Sequence, residues 1–368
     1  MYLHLAIYTF VGTFFVPELD TEYGFLSKML HHIALGSRVL PEASFDLECT
    51  LYAKNRPECK FQPHVFIAGL ARAGTTILMR SLYKSNEFSS LTYRDMPFVL
   101  APNTWAKLSS ISNRRAKAKE RAHGDGVFVD FDSPEALEEV FWRTFTQEDY
   151  VQKDVLMPYK VAPDIIKQYR QYIALITHRY GKDRYLCKNN NNILRIPSLL
   201  KAFPNATVLI PFREPLEHAN SLLKQHQLFK GLHQQDMFTK QYMGWLVHHE
   251  FGGDHRPFKL GRRKINYSPD SINYWLNLWV ETYSYLLEMY KNTNSTINEN
   301  VIFVGYELLC TQTNKVWSSL QGHLNIMGQY PVGLVAREQK VQVSSKDLID
   351  EARSIEASLT HLSESKLL

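Results

Sequence analysis

Gly69 and Gly74 are separated by four residues, with Arg72 between them and Thr75-Thr76 directly after. Glycines at this spacing let a backbone turn tightly and approach a ligand where a Cβ would intrude. A guanidinium and two hydroxyls beside them supply donors for a phosphate or sulfate group. The elements that must position these groups are legible on either side. Val65 to Ala68 is a short apolar run, as a buried parallel strand requires. From Thr75 a helical pattern runs through Ile77, Leu78, Met79, Leu82 and Tyr83. The unpaired N–H groups and dipole of a helix start favour an anion there. Ala73 lies within the turn, and Arg80 follows it by a helical turn or two.

The frame is that of a phosphate-binding P-loop, except that Thr75 stands where that motif requires Lys. A phosphate loop without this lysine argues against phosphoryl transfer. Arg72-Ala73-Gly74-Thr75-Thr76 resembles the R-x-G-T-T element of the sulfotransferases that use 3′-phosphoadenosine 5′-phosphosulfate (PAPS). The resemblance implies that this loop, with Arg80 nearby, holds the 5′-phosphosulfate.

Downstream, Thr207 to Phe212 reads as a buried strand ending in Arg213, and a helical run follows Pro215. An Arg at a strand's carboxyl end and a Ser on the next helix can converge on one anion. Arg213 and Ser221, eight residues on, resemble the family's 3′-phosphate site. Val301 to Leu309 is similar to a family strand that ends in a Tyr-Glu pair, which implies Tyr306 beside the nucleotide. Lys188, at the end of a strand 184–188, resembles a family lysine that binds a bridging or sulfuryl oxygen. Asp95, in Tyr93-Arg94-Asp95-Met96-Pro97, falls in a stretch comparable to the one where protein-tyrosine sulfotransferases carry a catalytic Glu. It is the expected general base; His218 and His226 are the rivals.

Strand patterns at 64–69, 184–188, 207–212 and 301–305 alternate with helical ones. The helices are expected at 75–85, 134–146, 163–180, 195–203, 215–226, 270–291 and 313–326. This alternation predicts an α/β fold: three layers, P-loop-like, with a mainly parallel central sheet flanked by helices. Ligands of such sheets bind at strand carboxyl ends, where both phosphate elements fall. Ser268 and Pro269 look like the N-cap and first residue of helix 270–291. The expected organisation is a helical N-terminal extension over 1–60, a transferase domain over 61–330 and a C-terminal extension over 331–368.

The 368 residues are 45% apolar and 12% aromatic, and carry a net charge of +5. A mild charge without aromatic-basic interleaving argues against nucleic acid as partner. Lys107–Arg121 and Arg256–Lys264 are basic and would suit an anionic glycan. His248, His249 and His255 lack a supporting ligand at metal spacing, and no carboxylate is placed for magnesium, so no metal is expected. Cys49, Cys59, Cys187 and Cys310 suit a reducing compartment; whether Cys49 and Cys59 pair stays open. Met1 to Val16 is apolar but short for a bilayer span. A cytoplasmic protein is expected, with membrane association through residues 1–16 as the alternative. The combined expectation is sulfuryl transfer from PAPS to a hydroxyl of a glycan or small metabolite. A P-loop kinase and a non-catalytic nucleotide- or glycan-binding protein are the other readings.

Overall fold

The computed structural model describes residues 25–52, 63–109, 119–120, 128–129, 134–261, 266–292, 295–328 and 345–368. Cys59, the apolar segment 1–16, most of the basic stretch 107–121 and residues 262–264 of the second lie outside them. Five strands form the central sheet: β1 (Val65–Ile67), β2 (Phe88–Ser89), β3 (Arg184–Lys188), β4 (Thr207–Phe212) and β5 (Val301–Gly305). Their spatial order is β2-β3-β1-β4-β5 and every pairing is parallel. The architecture is therefore mixed α/β around a parallel sheet, as the alternation of patterns predicts. Lys119–Glu120 and Phe128–Val129 pair separately as a short antiparallel ribbon.

The central strand β1 places the phosphate loop in the middle of the sheet. Ile67 is in register with Lys188 on one side and Leu209 on the other. From β1 the chain runs to β2 at one edge; from β4 it runs to β5 at the other. Connections leaving adjacent strands in opposite directions open a crevice at their carboxyl ends, and that is where ligands of such sheets bind.

Alternate residues of each strand face opposite layers. Val65, Ile67, Leu186 and Leu209 pack with Leu78, Met79 and Leu82 of the helix Thr75–Tyr83. Phe66, Cys187, Val208 and Ile210 face the larger core, which includes Trp142, Tyr169, Trp275 and Trp279. Helix Ile272–Asn292 carries much of that core: Trp275, Trp279, Tyr283 and Leu286 are fully buried. Each such side chain stabilises the fold by roughly 1.5–3 kcal/mol. Ser268 and Pro269 precede this helix rather than starting it. Ser268 Oγ accepts from Asp270 N at 3.2 Å, and Pro269 O accepts from the Trp275 indole at 2.8 Å. The local side-chain bond has captured the backbone in a turn before the helix begins.

Helix Lys346–Leu367, in the segment expected as a C-terminal extension, belongs to the core through Leu348, Ala352 and Leu359. Ser363 Oγ accepts from Gly305 N at 3.1 Å, tying it to the end of β5. Cys187 is buried and Cys310 half-buried, and both are free. Cys310 sits on the helix Tyr306–Thr311. Among the described residues, no helix is long and apolar enough to cross a membrane.

Candidate active site

The loop between β1 and the helix Thr75–Tyr83 is held from three directions. At its root, a Cβ on Gly69 would lie 3.1 Å from Pro211 O, so glycine is what lets β1 and β4 approach there. Within the loop, His218 Nε2 lies 2.8 Å from Ala71 O, and Arg72 Nε donates to Ser221 Oγ at 3.3 Å. Both partners stand on helix Pro215–Gln235, which follows Arg213. At its end, Gly74 has φ +93°, and a Cβ there would be 2.9 Å from the Tyr306 ring. Arg72 also takes a left-handed backbone, φ 70°. A non-glycine residue in that region is strained by about 1 kcal/mol or more, held by the surrounding contacts. Replacing Gly74 with Ala combines a strained φ with a clash against Tyr306. The expected result is a loss of about 1–3 kcal/mol in chemical denaturation, with the tyrosine moved off the loop.

Arg72, Ala73, Gly74, Thr75 and Thr76 thus wrap the start of a helix, with Thr75 buried and Thr76 half-buried. Arg80 lies half-buried on the same helix. Arg213 extends from the end of β4, its guanidinium 5.5 Å from the Tyr306 ring centre. Arg213 is not bare: Glu217 Oε2 lies 3.5 Å from Nη2 and Glu307 Oε1 lies 3.9 Å from Nε. Ser221, expected beside Arg213, accepts from Arg72 and so ties helix Pro215–Gln235 to the glycine loop. Burial raises Tyr306 to about 12, so its hydroxyl stays protonated.

Lys188 approaches from the other side of β1. Leu186 packs on Leu78 and Leu82, and Lys188, two residues further, shares that face one step nearer the carboxyl end. By strand alternation it faces the layer that holds helix Thr75–Tyr83. Its Nζ is 3.9 Å from Glu135 Oε1, both side chains being 11% exposed. Asn189, the next residue, is fixed through its N–H to Ile67 O and its amide to Glu139.

Asp95 is placed otherwise than expected. It is 1% exposed. Its Oδ2 accepts from Thr92 N at 2.8 Å, from Tyr180 OH at 2.5 Å and from Thr92 Oγ1 at 3.4 Å. These contacts close a capping box over the short helix Tyr93–Asp95. Burial raises its pKa, against the opposing pull of these bonds. A carboxylate with three donors on one oxygen and no open approach is a structural cap, which argues against the base role.

The two rival histidines are also enclosed. His218 is fully buried, and desolvation lowers it to about 3. His226 Nδ1 accepts from Gly252 N at 3.2 Å, and burial lowers it as well. His255 is lowered to about 4 by burial and sits between His249 O and Tyr274 OH. Among the described residues, no group of three or more His, Cys, Asp or Glu is arranged to hold a metal ion.

The depressed His218 carries a pH prediction. Unfolded, it takes up a proton near its ordinary 6.5; folded, it does so only near 3. Its contribution is therefore complete above 6.5 and is lost as pH falls below that value. About 2 kcal/mol should disappear between pH 6.5 and 5, and His218→Gln should remove that part of the slope in denaturant titrations.

A parallel α/β sheet has a central strand that feeds a glycine loop, with Lys188 and Arg213 at the ends of the neighbouring strands. The chain belongs to the sulfotransferase family: the model of that family matches residues 63–255, just over half of the chain, and spans both phosphate elements. Three solved sulfotransferases are similar. STF1 from Mycobacterium tuberculosis H37Rv is 12% identical, with 92% of this chain and 82% of that one covered, at a TM-score of 0.47. STF9 from Mycobacterium avium is 15% identical, covering 87% and 76%, at 0.41. A sulfotransferase from Alicyclobacillus acidocaldarius is 14% identical, covering 83% and 95%, at 0.36. A comparison with curated proteins finds no match.

Glu135, paired with Lys188 at 3.9 Å, is a residue that the sequence did not single out. Its N–H donates to Leu91 O at 3.1 Å, next to a bridge between Thr92 and Pro134. No local pattern announces that pairing, because it joins segments about forty residues apart.

Proposed function

We propose that the chain transfers a sulfuryl group from PAPS to a hydroxyl of a glycan or small metabolite. The observation that carries this reading is the convergence of Arg72, Ser221, Arg213 and Tyr306 around one glycine loop. The loop N–H groups, Thr75, Thr76, Arg72 and Arg80 are suited to the 5′-phosphosulfate. Arg213 is suited to the 3′-phosphate, which would have to displace the long contacts of Glu217 and Glu307. Lys188 is suited to the charge that builds on the bridging oxygen as the sulfur–oxygen bond breaks. A sulfuryl group carries less negative charge than a phosphoryl group, so these fixed cations can serve without a magnesium ion.

Thermal stabilisation by 3′-phosphoadenosine 5′-phosphate (PAP), compared with ADP, tests the donor. A ligand that binds only the folded chain stabilises it by RT ln(1 + [L]/Kd). The expected result is a larger shift with PAP than with ADP, unaltered by magnesium. Equal shifts, or a shift that needs magnesium, would overturn the reading.

A further inference from the structure

We infer that a crevice beside the phosphate loop is the acceptor subsite, and that it takes a small uncharged alcohol with an apolar aryl or alkyl body. The inference rests on the PAPS reading above and narrows its acceptor. Leu70 and Ala71, which follow Gly69 in the loop, are part of the crevice wall. A molecule held there therefore touches the loop that frames the donor. Up to and including its open mouth, the crevice has a volume of about 350 Å³. Sites for small molecules begin near that size. Leu156, Leu222, Phe258, Trp275 and Leu278, all buried, make up much of the rest of the wall.

Polar groups border the crevice at few points. Asn191, just past the end of β3, is 2% exposed there. Both of its nitrogens are committed: the backbone N–H donates to Asn189 Oδ1 at 3.0 Å and the amide to Val247 O at 3.1 Å. Its Oδ1 is buried with no hydrogen-bond partner among the described residues, and so is Nε of Arg256, which also borders the crevice. A carboxamide oxygen and a guanidinium N–H left over in this way call for a group that both donates and accepts. A hydroxyl is such a group. His255 offers nothing further, since its ring nitrogens lie against His249 O at 3.0 Å and Tyr274 OH at 2.8 Å. A sugar would bring several hydroxyls against leucine and aromatic walls, each desolvated without a partner. An anion would meet Glu250 on the same wall. Burial opposes the charge of Glu250, yet His248, Asn190 and Lys188 together hold its carboxyl below the ordinary range. Arg256 does not offset that charge, because Asp254 already accepts from its Nη2 at 3.1 Å. On transfer the alcohol oxygen bonds to sulfur as the bond from sulfur to the 5′-phosphate oxygen breaks. The leaving electron pair stays on PAP, and the hydroxyl proton leaves to water.

The test measures sulfated product formed from PAPS by the full chain with benzyl alcohol, glucose or glucuronate as acceptor, beside thermal stabilisation by PAP. The kcat/KM for benzyl alcohol should exceed that for either sugar by about tenfold or more, because the sugars leave buried hydroxyls unpaired. Leu278→Phe, which fills the crevice, should keep the PAP shift and raise KM for benzyl alcohol about tenfold. Phe258→Ala, which widens it, should raise kcat/KM for naphthylmethanol relative to benzyl alcohol. If Leu278→Phe does not fold, the change of preference in Phe258→Ala decides. Equal or better use of either sugar overturns the inference, as do acceptor preferences that the folded variants leave unmoved. So does a wild type that prefers PAP to ADP but sulfates no benzyl alcohol. A wild type that does not prefer PAP to ADP instead overturns the donor reading beneath it.

Discussion

Glu139→Gln is expected to lower the stability of the chain by about 3–5 kcal/mol, the cost of breaking a buried ion pair from one side. Glu139 and Arg195 are both fully buried, with Nη2 at 2.8 and 3.1 Å from the two carboxylate oxygens. Tyr150 OH and the Asn189 amide complete the carboxylate, each at 2.5 Å. The rest of the guanidinium is enclosed by the rings of Trp142, Tyr150 and Tyr159, at 4.7, 5.0 and 5.5 Å. Burial works against the Arg195 charge and Glu139 more than offsets it. Removing the carboxylate charge leaves a desolvated cation among rings. Urea titration should show a lower midpoint at constant m-value. The variant Glu139→Gln with Arg195→Met should recover part of the loss, because it removes the uncompensated charge. A single-variant cost under about 1 kcal/mol would contradict this account of the network. The network also concerns the site: Asn189 follows Lys188, so loosening Glu139 should blur the lysine's position.

Arg213→Ala is expected to cost about 1.5–3 kcal/mol of PAP binding, a factor of roughly 10–100 in affinity. Adenosine 5′-phosphate, which lacks the 3′-phosphate, should be affected much less. Arg213 leaves the end of β4 at 15% side-chain exposure, beside Tyr306 and within ion-pair reach of Glu217 and Glu307. These acidic neighbours set the alternative. If Arg213 serves only to neutralise them, both nucleotides should change together. Titration calorimetry with the two ligands separates the outcomes, and an equal change would sink the 3′-phosphate assignment.

The parts legible in the sequence were those written locally. Strands β3, β4 and β5 and helix Pro163–Tyr180 match their expected bounds, because their apolar runs are flanked by clear breaks. The glycine loop was legible for the same reason: Gly69 and Gly74 mark its two ends in the local sequence. Strand β2, two residues long, is too short to show a period. Helices Phe25–Leu35 and Val39–Leu51 fall in the stretch expected to be helical, without bounds of their own; Lys346–Leu367 was not marked, and the core of the folded chain holds it. The surroundings of the candidate carboxylates were the hardest part to read. Asp95 sits at the spacing that resemblance suggests, yet Thr92 and Tyr180 consume it as a cap. Glu135 reaches Lys188 only through contacts between distant segments, which no window along the chain contains.

The most direct measurement of the central claim is a product balance. The full chain is incubated with PAPS in excess EDTA, and in parallel with ATP and magnesium. The account predicts PAP and an equal amount of transferred or released sulfate from PAPS, with no ADP formed from ATP. Magnesium-dependent ADP formation, with PAPS left intact, would contradict it.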